Sequence, residues 1–129
     1  MADAVNIGLS EEGHAAIQML KDAGVFNEMQ DAYRFAIALA IARGKVSPET
    51  TKFRSNWHVN GIDKDESIRT VIMEMFPAAA DRPYAYAERL ADAGVLELGS
   101  LHKAGTLRFA DLFAQVVAGA GVAAPASGG

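Results

Sequence analysis

Ala32-Tyr33-Arg34-Phe35-Ala36-Ile37-Ala38-Leu39-Ala40-Ile41-Ala42 carries a single charge, Arg34. Its residues suit a helix, and the apolar ones fall on every face of it. A helix that is apolar all round has to be buried all round. The stretch therefore predicts a central helix over about Glu28 to Arg43, closed by Gly44. A chain of 129 residues suits one domain. A small monomer rarely covers such a helix on all sides, whereas packing it against its own copy does so readily. The sequence thus predicts a dimer or a larger assembly.

Upstream, Asn27 and Gln30 have capping-box spacing for that helix. Val5, Ile7 and Leu9 alternate with Asn6 and Gly8, the pattern of a short strand with one buried face. Ser10 is a good N-cap, with Glu11 and Glu12 at the helix end that favours negative charge. The first helix should reach about Ala23, with Ala16, Met19, Leu20 and Ala23 on one face and Gly24 as its left-handed cap.

Downstream, residues 45–63 read as a basic-aromatic loop ending near the Asn60-Gly61 turn. Asp63 and Glu66 have capping-box spacing for a helix over about Lys64 to Phe76, with Ile68, Val71, Ile72 and Met75 on one side. Pro77 stops it. A further helix is expected from Tyr84 to Ala93, capped by Gly94. Asp92-Ala93-Gly94-Val95 repeats Asp22-Ala23-Gly24-Val25, which suggests the same helix stop used twice. Gly99 to Gly105 reads as a broken connection. A last helix is expected over about Leu107 to Ala118, with Phe109, Leu112, Phe113 and Val116 on one side. The Gly/Ala/Ser/Pro run 119–129 reads as a flexible tail. The expected fold class is mainly α: a short N-terminal β-strand followed by a helical C-terminal part. The expected organisation is a single domain over 1–118, with 1–44 as strand-helix-helix dimerisation module and 64–118 as helical part.

Composition narrows the function classes. The net charge of −4 argues against a surface built wholly for phosphate. The chain has no cysteine, hence no disulfide framework, thiolate metal site or Cys nucleophile. Met1-Ala2-Asp3-Ala4 lacks the features of a signal peptide. The longest apolar run, Phe35 to Ala42, falls far short of the roughly 20 residues of a membrane span. A cytoplasmic location without membrane contact is the expectation. His14, His58 and His102 have no neighbours at metal-ligand spacing. Asp63, Asp65 and Ser67, with Glu74 at the twelfth position, resemble a calcium loop, but its glycine is missing and a helix cap accounts for the acids. No phosphate-binding glycine loop or nucleophile elbow is present. No catalytic residue, metal or cofactor is therefore expected.

One stretch runs against the acidic balance. Lys45 to His58 holds three cations and one acid, with Phe53 and Trp57 among them. Aromatics between cations can stack on bases while the charges hold phosphates. The plainer alternative is that the aromatics pin a loop to the core. Lys45, Lys52, Arg54, Trp57 and His58 are the candidate nucleic-acid contacts, with Asn6 a further one.

The order strand, helix, tight turn, long apolar helix over residues 1–44 resembles a ribbon-helix-helix module. That resemblance implies a strand paired only across a dimer, with Val5, Ile7, Leu9, Tyr33, Phe35 and Leu39 at the dimer interface. It also implies an outward strand face that reads DNA, of which Asn6 is the one base-reading side chain here. Glu28 and Asp31 stand at the start of the second helix, where the family often anchors a phosphate. The phrase Phe26 to Leu39, Ser67-Ile68-Arg69 leading into Phe76, and Tyr86 to Gly94 resemble small accessory proteins of bacterial DNA phosphorothioation and phage-defence systems, the DndE-like proteins. The expectation is a DNA-associated accessory or adaptor protein acting as a homo-oligomer. The alternative is a protein-interaction module, antitoxin-like or a scaffold subunit, without direct nucleic-acid contact.

Overall fold

The computed structural model describes residues 3–49 and 54–119. In chain order these form β1 (Asn6–Leu9), α1 (Glu11–Asp22), α2 (Met29–Arg43), β2 (Arg54–His58), α3 (Val59–Ile62), α4 (Ser67–Met75), α5 (Pro83–Lys103) and α6 (Phe109–Gly119). A single 3-10 turn, Pro77–Ala79, joins α4 to α5. The fold is mainly α, with one short two-stranded sheet at the N-terminal strand.

The α1 helix begins as its sequence dictates. The Ser10 hydroxyl accepts a hydrogen bond from the Gly13 amide at 3.0 Å, satisfying one of the orphan donors of the first turn. It ends at Gly24, whose φ of 77° is left-handed. There the Gly24 amide donates to Lys21 O and the Val25 amide to Leu20 O, closing the last turn. Nothing of the kind starts α2. Glu28 is its N-cap and makes no side-chain cap bond, so the box expected from Asn27 and Gln30 is not formed.

The apolar α2 is the centre of the core, but neighbours in the same chain cover it. The α1, α5 and α6 helices all pack on it. Ala32, Tyr33, Ala36, Ile37, Leu39 and Ala40 are buried there. The longest helix, α5, lies closest. A β-carbon built on Gly94 would overlap the Ala36 carbonyl group, so the two backbones meet with no side chain between them. This corrects the expected helix stop at Gly94. The helix runs on through Gly94 and Gly99 to Lys103. Glycine inside a helix costs about 1 kcal/mol against alanine, and close packing on α2 offsets it. The stop falls at Gly105, with φ 72°, where Thr106 N donates to Leu101 O. The expected break over 99–105 is therefore largely helix.

The cap of α4 is also displaced. Glu66 holds a left-handed φ of 60° and makes no cap bond. Asp63, only 3% exposed, reaches the helix start instead. Its carboxylate accepts from the amides of Ile68 at 2.9 Å and Arg69 at 3.0 Å, and from the Tyr84 hydroxyl at 2.8 Å. The helix accordingly starts at Ser67 rather than near Lys64. On its predicted apolar side Ile72 is buried and Ile68 half-buried, while Val71 and Met75 are exposed.

The strand pairing differs most from expectation. β1, expected to pair only across a dimer, pairs antiparallel with β2 of its own chain. The segment read as loop over 45–63 supplies both that strand and α3. The physical reason is that β1 carries a row of backbone donors and acceptors that must be satisfied, and β2 does so within the chain. Of the residues expected at a dimer interface, Ile7, Leu9, Tyr33 and Leu39 are buried inside the single chain. Phe35 is half-buried in a ring cluster with Phe26 and Phe109. Val5 is 57% exposed and does not share the buried face.

Candidate nucleic-acid interface

The β1–β2 ribbon pairs Asn6 with His58, Ile7 with Trp57 and Leu9 with Arg54, with an irregularity between Ile7 and Leu9. Two β2 residues stand opposite Gly8, one more than in a regular ladder, the geometry of a bulge. Side chains alternate across a strand, so the ribbon has an inner and an outer row. On the inner side Ile7 is buried, and the Trp57 ring lies against Tyr33 with centroids 4.8 Å apart. On the outer side Asn6 and His58 are both exposed. The His58 Nδ1 accepts from the Asn60 amide at 3.1 Å, which caps α3 and fixes the ring beside the ribbon end.

What holds the ribbon is a row of polar groups on α5 and α2. The Glu88 carboxylate accepts from the Gly8 amide at 2.8 Å. The Asp92 carboxylate accepts from the Ser10 amide at 3.0 Å and the Ser10 hydroxyl at 2.7 Å. The Tyr33 hydroxyl donates to Gly8 O at 2.9 Å. Glu88, Asp92 and Tyr33 are thus each bonded to the backbone or cap of β1. Burial, reinforced by the negative charges of Glu88 and Asp92, pushes the Tyr33 hydroxyl well above its ordinary pKa. Asp3 ties down the other end, its carboxylate accepting from the amides of Tyr84 and Ala85 at 2.8 and 2.9 Å. That places a negative charge at the start of α5, where the dipole favours it.

The six sequence candidates are therefore sorted by geometry. Asn6 and His58 come together on the outer side of the ribbon. Arg54 supplies the backbone at the far end of β2, opposite Leu9. Lys52 lies outside the described residues. Trp57 is half-buried against Tyr33. Lys45 stands apart, its ammonium 3.7 Å from Glu97 of α5, which also takes the Arg43 guanidinium at 2.8 Å.

Sequence inspection passed over Glu88 and gave Asp92 and Tyr84 no polar role, while it read Asp63 as a cap without its bond to Tyr84. The available signal was polar spacing: Glu88 and Asp92 sit four residues apart among the apolar Ala87, Leu90 and Ala91, on one helix face. A second feature lies across the molecule. A cleft of about 830 Å³ opens between the start of α2 and the α3–α4 connection. Glu28, Asp31 and Asp65 line it, with Lys64 and Arg34. Arg34 pairs with Asp31 at 2.7 Å and donates to the Ile62 carbonyl at 3.3 Å. Among the described residues no three His, Asp or Glu side chains are grouped to hold a metal ion, and no helix is long and apolar enough to cross a membrane. No protein-family model, curated protein or solved structure matches the chain.

Proposed function

We propose that this chain is a non-catalytic accessory or adaptor protein that associates with DNA as a homo-oligomer, using the outer side of the β1–β2 ribbon. The observation that carries the reading is the exposed Asn6–His58 pair on an antiparallel two-stranded ribbon. A ribbon of that kind fits the major groove, where Asn can read adenine. Arg54 lies on the same ribbon, Lys52 two residues before it. Trp57 serves as an anchor of the ribbon to Tyr33, not as a stacking platform. The resemblance of the stretches 26–39, 67–76 and 86–94 to accessory proteins of DNA modification and phage defence motivates the same class. The test is duplex binding at low salt by the parent and by the Lys52→Ala/Arg54→Ala double variant. The reading expects clear weakening in the variant. Equal affinity would defeat it.

A second reading is a protein-interaction module. The cleft with Glu28, Asp31 and Asp65 on its rim favours it, since such a rim suits a basic segment of a partner. Charge reversal at Glu28 and Asp31 would then abolish partner capture and leave DNA affinity unchanged or raised.

A further inference from the structure

Two arginines of α5 carry charge that no carboxylate of the described residues neutralises. Arg82 directly precedes the helix, and Arg89 lies about two turns further on. With Ala85 between them they share one helix face, and the small alanine leaves space between the two long stems. Both arginines are half-buried. Among the described residues neither forms an ion pair. The Arg82 Nε is buried and has no hydrogen-bond partner. Drawing a guanidinium out of water without a counter-charge is unfavourable, and an arriving anion offsets that penalty.

Arg89 is held in place before any ligand arrives. Its Nε donates to Ser47 O at 2.8 Å, and the Ser47 amide donates back to Arg89 O at 3.1 Å. The Tyr86 ring lies against the guanidinium, whose carbon is 5.3 Å from the ring centroid. With Nε and one face engaged, the two terminal nitrogens form a fixed fork, the geometry that takes both oxygens of a carboxylate. A cleft of about 480 Å³ opens beside the two arginines, a size that suits a small molecule. Its other wall is apolar and includes Phe76, Pro77, Ala79 and Tyr86. The Phe76 and Tyr86 rings pack with centroids 4.9 Å apart. Glu49 and Asp81 also line the cleft, both exposed, and neither pairs with an arginine. Their charges disfavour a ligand with several negative charges, and the apolar wall disfavours a bare inorganic anion.

We propose that the cleft between the 3-10 turn Pro77–Ala79 and α5 binds a small carboxylic acid with an apolar body. The carboxylate meets the Arg89 fork and the charge of Arg82, and the body lies against Phe76 and Tyr86. Neither Asn6 nor His58 lines this cleft, so the site stands apart from the ribbon and does not depend on the DNA reading.

The experiment is an NMR titration of the full chain with phenylacetate and with octanoate. Phenethyl alcohol serves as the uncharged counterpart and phenyl phosphate as the phosphate counterpart. The expected result is a Kd of about 1 mM or tighter for at least one of the two acids, with the amide shifts centred on Ala85 and Arg89. The alcohol should bind on the order of tenfold more weakly, having no charge to offer the fork. Arg82→Gln should weaken the acid on the order of tenfold and leave the fold intact, because its guanidinium makes no hydrogen bond or ion pair in the described chain. Arg89→Lys keeps the charge, loses the fork and should weaken the acid as well. If Arg89→Lys does not fold, Arg82→Gln decides alone. No binding of either acid by the parent overturns the proposal. Equal affinity for acid and alcohol, or for the acid in parent and Arg82→Gln, overturns it too. Phenyl phosphate binding more tightly than both acids overturns the carboxylate assignment.

Discussion

Gly94 of α5 lies directly against the Ala36 carbonyl of α2, with no room for a β-carbon between them. This contact sets the distance between the two central helices. It also explains why glycine survives in the middle of a helix of 21 residues. Everything that positions the ribbon hangs from the same two helices: Tyr33 on α2, and Glu88 and Asp92 on α5.

The first prediction concerns that crossing. On propensity alone Gly94→Ala would gain about 1 kcal/mol. The clash reverses the sign, because overpacking against a fixed backbone costs about 1–3 kcal/mol or more. A lowered urea midpoint is expected. Gly61, with open space around its Cβ position, is the control, and Gly61→Ala should shift the midpoint far less.

Tyr33 gives a pH dependence with a definite sign. The unfolded phenol titrates near pH 10, while in the folded chain burial and the charges of Glu88 and Asp92 hold its pKa well above that. The stability it contributes is therefore fully present below about pH 10 and is lost as pH rises beyond it, because only the unfolded state can release the proton. Tyr33→Phe should cost about 1–2 kcal/mol at neutral pH, leaving Gly8 O without its donor. It should also flatten the fall in stability above pH 10. Denaturant titrations from pH 7 to 11 on both proteins would show this. An equal alkaline slope in the two would contradict the assignment.

Asp63 caps α4 and holds Tyr84 at once. Asp63→Ala leaves the Ile68 and Arg69 amides and the Tyr84 hydroxyl without their acceptor, and should destabilise by about 2–3 kcal/mol. Glu66→Ala, at the position expected from sequence to share the cap, should cost less, since Glu66 makes no cap bond. Thermal or urea unfolding ranks the two. Amide exchange at Ile68 and Arg69 should quicken only in the Asp63 variant.

Glu88→Gln keeps an acceptor for the Gly8 amide, and Glu88→Ala removes it. The ribbon should therefore loosen in the alanine variant alone, seen as faster amide exchange at Gly8 while the α2 amides keep their protection.

The contrast between two identical tetrapeptides shows what was legible in the sequence. Asp22-Ala23-Gly24-Val25 ends α1 as its local chemistry predicts. Asp92-Ala93-Gly94-Val95 lies in mid-helix, because the deciding contact, Ala36, is more than fifty residues away. The apolar α2 announced its burial but not what would cover it. Local periodicity cannot tell a second copy from α5 and α6 of the same chain. β2 was hidden for the same reason, since only β1, far upstream, makes Arg54–His58 a strand. The candidate site was visible as residue types. Asn6 and His58 were each found, but that they face one another is a matter of register.

The most direct test is the salt dependence of duplex binding, followed by fluorescence anisotropy between 50 and 200 mM salt. Three phosphate contacts would weaken binding about 40-fold over that range. The account predicts a loss of at least this order for the parent and a shallower slope for Lys52→Ala/Arg54→Ala. Affinity unmoved by salt, or the same slope in both proteins, would contradict it.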